Sequence, residues 1–323
     1  MKKVLLFNIL IIAVIIFFLE TLIRFLNIVE LQGYDRKVYY LENEIILNKP
    51  NTTFKVSGKF AQTDKNGFRV PLGNFSYNNN KNNILILGDS VTFGVGVNEK
   101  ESFVGILRKN SKRNLYNTSI VGHNLKSYLY IIDKNYNNPD VEFDNVLIFL
   151  CLNDIVPYQG VISKENSNFF DKYFRNNITL KINLFLREKS AIYVFLKSLL
   201  TSPVERHYQY MNAMYNDKKN LREFKNYIHD IKNYSKFQNL DTKFILLPYA
   251  HQIKNDCKNE FMKPQNEIKK IFNKLNLRIY DFSYKFCENS DREKLFLPFD
   301  PVHLSKYGHK YFSNLLIDDR IIN

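Results

Sequence analysis

From residue 84 onward, short apolar runs alternate with stretches of helical period, and this alternation narrows the fold more than any other feature of the chain. Strands are expected at 84–87, 115–121, 146–152, 244–248 and 277–282. Helical patterns fill the gaps at 102–109, 126–136, 221–237 and 263–275. In the third of these, Leu221, Phe224, Tyr227, Ile228 and Ile231 recur at i, i+3, i+4 spacing and share one helix face. Strands that alternate with helices argue for an α/β fold, a parallel sheet with helices on both faces. In such sheets functional groups gather beyond the C-terminal strand ends. Ser90, Gly122, Asn153 and His251 all fall just past an expected strand end.

The first strand, Ile84-Leu85-Ile86-Leu87, breaks into Gly88-Asp89-Ser90-Val91-Thr92-Phe93-Gly94 and offers one serine hydroxyl at the turn. Ser90 is the candidate nucleophile; the competing reading is a helix N-cap, a role that suits both Asp89 and Ser90. Far downstream, Asp300-Pro301-Val302-His303 places a carboxylate three residues before a histidine. That spacing lets the carboxylate reach the ring or its backbone and orient a general base. A serine, a base and an orienting acid are the parts of a nucleophilic hydrolase. Gly122 has a main-chain N–H with no side chain in the way, and Asn153 carries a neutral amide donor; both suit an oxyanion. Each also has a plain turn reading. His123 and His251 are candidate pocket residues with no assigned role, and no His, Asp and Cys stand at metal-ligand spacing.

Four blocks in order, Gly88-Asp89-Ser90, Gly122, Asn153-Asp154 and Asp300-x-x-His303, resemble the SGNH branch of the GDSL hydrolase family over roughly residues 84–315. The upstream Asn66-Gly67-Phe68-Arg69 and a single N-terminal apolar span are similar to its membrane-anchored bacterial members. The resemblance implies a flavodoxin-like three-layer α/β/α sandwich with a central parallel sheet. It implies Ser90 as nucleophile, His303 as base and Asp300 as its orienter. Ser90 N–H, Gly122 N–H and the Asn153 side chain would form the oxyanion hole, with no metal and no cofactor. Two positions depart from the pattern: Val91 replaces a leucine, and Cys151 stands where many members have glycine. A small buried residue filling a glycine position is the favoured reading of Cys151 over a second nucleophile.

The expected activity is that of a membrane-tethered serine esterase acting on an acylated carbohydrate or other ester. An O-acyltransferase modifying a cell-surface polysaccharide, supplied by a membrane-bound acyl-donor partner, uses the same residues. A catalytically silent glycan-binding module would have no need of the complete set.

The tether is read from the N-terminus. Residues 4–19 are free of charge and interrupted only by Asn8. Carried on to Ile23, with Glu20 snorkelling, the run reaches the roughly 20 residues a bilayer requires. Lys2 and Lys3 ahead of it keep the N-terminus in the cytoplasm and place the catalytic domain outside the cell membrane. No small-x-small site follows, which favours an uncleaved anchor over a signal peptide.

The chain carries 46 Lys+Arg against 32 Asp+Glu, but the lysines are scattered without an arginine-rich tract, so nucleic acid is not an expected partner. Cys257 and Cys287 lie in polar surroundings, and a bridge and two free thiols are equally open readings. The organisation expected is an anchor at 1–30, a connecting arm of short strand-like pieces and turns at 31–83 and a catalytic domain at 84–323. Within the last, 156–220 breaks the strand–helix rhythm and reads as an inserted cap of helices and loops.

Overall fold

The computed structural model describes residues 2–33, 36–78, 82–155 and 178–322. Ahead of the expected sheet the chain already forms short strands. β1 (Tyr39–Glu42) and β2 (Ile45–Asn48) make an antiparallel hairpin, followed by β3 (Thr53–Val56), β4 (Lys59–Thr63) and β5 (Arg69–Val70). The apolar runs then give β6 (Asn83–Leu87), β7 (Asn114–Asn117), β8 (Asn145–Leu150), β9 (Asp241–Leu246) and β10 (Ile279–Asp281). Among the described residues an eight-stranded sheet has the order β10-β9-β8-β6-β7-β5-β4-β3. β6 to β10 pair in parallel, and β3, β4 and β5 extend the sheet antiparallel beyond β7.

In chain order the parallel strands sit as 2-1-3-4-5, the flavodoxin-like arrangement. The connection from β6 to β7 steps one way and that from β7 to β8 steps back past β6. With right-handed crossovers, the intervening helices must fall on opposite faces. Accordingly Phe103–Asn110 packs with Lys306–Asp318, and Leu125–Tyr136 packs with Lys218–Phe237. One face is joined to the sheet by Phe149 of β8 against Phe103 and Phe312, at ring separations of 4.8 and 6.0 Å. On β9, Phe244 meets Phe272 at 5.0 Å. The central strands are buried on both sides, as continuous apolar runs require.

Three expectations change. The second parallel strand ends at Asn117 instead of residue 121, because the Asn117 side chain accepts the Ser119 N–H (3.1 Å) and turns the backbone out of the ladder. The fifth is confined to Ile279–Asp281. Most consequentially, the segment read as a connecting arm supplies β3, β4 and β5 to the main sheet. Its polar composition hid this, since only alternate side chains of β3 are buried. The turn before β5 depends on Gly67, at φ +81°, where a Cβ would stand 2.6 Å from the Asn48 carbonyl.

β5 also brings a buried cation to the sheet. Arg69, 1% exposed, donates to the carbonyls of Phe93, Gly94 (2.9 Å) and Val97 (2.9 Å) and lies over the Phe93 ring. Burial, with Arg108 nearby, brings its ionisation down to about 9, so it stays a cation at neutral pH.

Cys257 and Cys287 are bridged, with Cα atoms 6.1 Å apart. The segments following β9 and β10 run side by side, which brings the two thiols together. The helix Lys2–Phe25 contains an 18-residue stretch of mean hydropathy 2.7 and is almost wholly exposed, long and apolar enough to cross a bilayer. Glu20 and Arg24 pair one turn apart on it.

Arg69→Met would leave the buried Phe93 and Val97 carbonyls without a donor and the Gly94 carbonyl with only the long bond from Val97 N–H at 3.4 Å. The variant is expected to lose about 3 kcal/mol of stability, measured as a lower urea midpoint for the detergent-solubilised protein with an unchanged m-value.

Candidate functional site

The central strand β6 delivers the Gly88-Asp89-Ser90 turn to the point where the strand order reverses, in the crevice between the ends of β6 and β8. Asp89 and Ser90 divide the work there. The Asp89 carboxylate caps the short helix Ser90–Phe93 by accepting the Val91 N–H at 2.9 Å. The Ser90 hydroxyl is therefore not needed as a cap. It lies 2.9 Å from His303 Nε2.

His303 arrives on the loop between β10 and the final helix. Its Nδ1 is 2.8 Å from Asp300 Oδ2, while Asp300 Oδ1 accepts the N–H groups of Val302 (2.8 Å) and His303 (2.7 Å). The carboxylate accepts a hydrogen bond from Nδ1–H, so the Nε2 lone pair faces the serine and accepts its O–H. Residues separated by 213 positions thus form one hydrogen-bonded chain. Burial disfavours the imidazolium, but the charge and hydrogen bond of Asp300 and the charge of Asp89 outweigh it and hold His303 above its ordinary value. For Asp300, burial raises the carboxyl, but His303 and the two backbone donors outweigh it and hold the group below the usual range.

Asn153 follows β8 and faces the same turn. Its amide nitrogen donates to Asp89 Oδ2 at 2.8 Å and its carbonyl accepts the Tyr249 hydroxyl at 2.8 Å. Held at both ends, the amide has a fixed orientation, with one N–H committed to Asp89 and the second unassigned. Gly122 is exposed at φ +87° with open space where a Cβ would stand. Its loop runs beside the Gly88-Asp89-Ser90 turn, since Ile120 N–H reaches the Gly88 carbonyl at 3.4 Å.

Other candidates have structural roles. Asp154 accepts the Cys151 N–H (2.7 Å) and the Tyr128 hydroxyl (2.8 Å). Its complete burial and the charge of Asp89 push its carboxyl well above the usual range. Cys151 is a free, buried thiol, raised by burial and by both aspartates; it fills space and is not activated. His123 is buried with Nε2 2.6 Å from the Ile46 carbonyl, at the β1–β2 hairpin. His251 lines a neighbouring cleft of about 670 Å³ and stacks on Tyr208 at 4.6 Å.

Two residues at the site were not anticipated. Tyr249 lies two positions before His251, past the end of β9, where a tyrosine carries no distinctive signal. His207 comes from the helix Pro203–Met214 within the expected cap and stacks on Tyr249 at 5.4 Å. Burial lowers its imidazole, Asp300 opposes this, and His303 and Arg206 add to it; the net direction is down. The described part of the cap, 178–220, is helical; its first stretch, 156–177, lies outside the described residues. Among the described residues no three His, Cys, Asp or Glu side chains are grouped to hold a metal ion.

No protein-family model and no curated protein matches the chain. Many of the solved structures similar to it are SGNH or GDSL hydrolases. The psychrotrophic esterase EstA from Pseudoalteromonas sp. is 16% identical at a TM-score of 0.42, covering 74% of this chain and 96% of that one. A member of the lipolytic G-D-S-L family from Veillonella parvula is 15% identical at 0.40, covering 73% and 96%. A catalytic mutant of Axe2, an acetylxylan esterase from Geobacillus stearothermophilus, is 12% identical at 0.39, covering 73% and 93%.

By NMR, the His303 ring is expected to titrate above about 6.5, and Asp300→Asn should move that midpoint down. A midpoint unchanged by Asp300→Asn would contradict the charge pairing.

Proposed function

We propose that this protein is a membrane-tethered serine esterase that cleaves an ester through an acyl-Ser90 intermediate. The observation that carries the reading is the continuous Ser90–His303–Asp300 chain, with both hydrogen bonds below 3 Å.

Ser90 Oγ attacks the ester carbonyl while His303 Nε2 takes its proton. Asp300 holds the Nδ1–H and stabilises the imidazolium that forms. The carbonyl oxygen, now carrying the negative charge, is received by the Ser90 and Gly122 N–H groups and the second N–H of Asn153. As the tetrahedral centre collapses, His303 returns the proton to the departing alcohol oxygen and leaves the acyl group on Ser90. A water molecule then repeats the sequence, donating its proton to His303 and releasing the acid. A sugar hydroxyl in place of that water would make the same site an O-acyltransferase. His303 must be neutral to act, and its raised pKa puts the acid limb of activity above the ordinary imidazole range.

The helix Lys2–Phe25 supports the tether, with the catalytic domain outside the cytoplasm. Fractionation should leave the full-length protein with membranes, and a C-terminal reporter should be active only outside. A soluble product starting near residue 25 would contradict the tether.

With an aryl acetate, Ser90→Ala should abolish acyl-enzyme formation by mass spectrometry, and His303→Ala should be nearly as inactive. Asn153→Ala should lose on the order of 10²–10³ in kcat with little change in KM. Adding oligosaccharides and following both free acetate and acetylated sugar separates hydrolysis from transfer. Full turnover by Ser90→Ala would remove the esterase reading.

A further inference from the structure

The helices Ile178–Lys189 and Ala191–Thr201 are joined through Ser190 alone. Tyr193 and Lys197, from the second, both bond to Asn183 of the first, so the pair folds back as an antiparallel hairpin. Its turn is tied to the end of the N-terminal helix. Glu20 accepts the N–H groups of Ala191 (2.8 Å) and Ile192 (3.0 Å), and Arg24 donates to the Lys189 carbonyl at 2.6 Å. Beneath these bonds Ile23 packs with Ala191 and Val194. Ala191, Val194 and Ser198 form the buried face of the second helix. On the opposite side Leu196, Leu199 and Leu200, within an arc of about 100°, are 52%, 55% and 86% exposed. The first helix adds Ile182 and Phe185, 51% and 60% exposed. With Leu184, 43% exposed, six large apolar side chains therefore stand uncovered on one hairpin, continuous with a helix long and apolar enough to span a bilayer.

We propose that this hairpin is a second membrane-contacting element, laying Ile182, Phe185, Leu196, Leu199 and Leu200 into the boundary between lipid headgroups and acyl chains. The proposal rests on reading Lys2–Phe25 as the membrane tether. The level is set by Glu20, the first charge after the apolar run, because its carboxylate holds the first turn of the second helix. From that turn Leu196 is about 7 Å and Leu200 about 14 Å along the helix axis, while the headgroup layer is about 5–7 Å deep. A helix lying along that layer keeps its whole apolar stripe at the boundary, the usual depth of an interfacial helix. A helix standing upright would lift Leu199 and Leu200 into water. The contact also reaches the catalytic loop, because Phe195 packs edge-on against Phe299 at 5.9 Å, and Phe299 immediately precedes Asp300. The hairpin thus sets the site beside the lipid surface, where the ester it meets is one displayed there.

The chain has no tryptophan, so a single introduced one reports alone. Full-length Phe185→Trp, Leu196→Trp and Leu200→Trp would be reconstituted in vesicles of phosphatidylcholine and phosphatidylglycerol, with plain or brominated acyl chains. Phe17→Trp marks the span. Phe237→Trp, 84% exposed at the end of the helix leading into β9 and hence at the N-terminal ends of the strands, away from the site, marks the aqueous side. Bromolipid is expected to quench the three hairpin variants and Phe17→Trp, with blue-shifted emission, and to leave Phe237→Trp unchanged. Quenching at Phe17→Trp but not in the hairpin would overturn the proposal and keep the tether. A blue shift in the hairpin without quenching would mean cover by protein, such as a second copy, and would overturn it too. No quenching at Phe17→Trp would bring down the tether reading and this proposal with it.

Discussion

Where the chain leaves β6 and passes through the nucleophile turn, three main-chain carbonyls point into space that water does not reach. Buried carbonyls without donors are costly, and Arg69 satisfies all three from a strand that belongs to neither the turn nor the central sheet pair. A lysine would supply one compact ammonium; the guanidinium fork spans several carbonyls at once and lies flat on Phe93. The same region is closed from the other side by Arg108, which bonds to Glu99 and donates to the carbonyls of Arg69 (3.2 Å) and Leu115 (3.0 Å). β5, the helix Phe103–Asn110 and the serine turn are thereby tied together, and the position of Ser90 is inherited from them.

Around that serine the acidic groups are sorted by environment. Asp300 is surrounded by donors and stays charged, which is what a partner of His303 requires. Asp154, wholly buried beside Asp89, is driven toward its neutral form and acts as a brace for the strand end. Asp89 accepts from both Val91 and Asn153, so one carboxylate shapes the nucleophile turn and aims the amide opposite it. Tyr249 completes the brace from the far side. Few of these contacts touch a substrate directly, yet the alignment of those that would depends on them.

Much of this was legible because the relevant signals are strong and local. Continuous apolar runs as short and as bounded by turn residues as 84–87 and 146–150 read as buried strands, and the reversal of strand order places Ser90 and Asn153 in one crevice. The Asp300–His303 spacing encodes its own hydrogen bonds. Short strands in the arm were legible, but their membership in the main sheet was not, because it depends on Arg69 pairing with Asn117, a contact 48 positions apart in sequence. Tyr249 and His207 were missed because their roles come from packing between distant segments. The Cys257–Cys287 bridge stayed open for the same reason: spacing along a chain does not reveal which loops lie side by side.

Because residues 36–78 are folded into the hairpin and the sheet, they do not act as a leash. A flexible tether of that length would let the catalytic domain range over roughly 40 Å. Glu20 and Arg24 fasten the start of this connection, and β5 against β7 fastens its end. On the tethered reading, the height of Ser90 above the bilayer is then a fixed dimension of the fold. On that same reading, ester groups displayed at one distance from the membrane would reach Ser90, and the same groups carried nearer or farther would not.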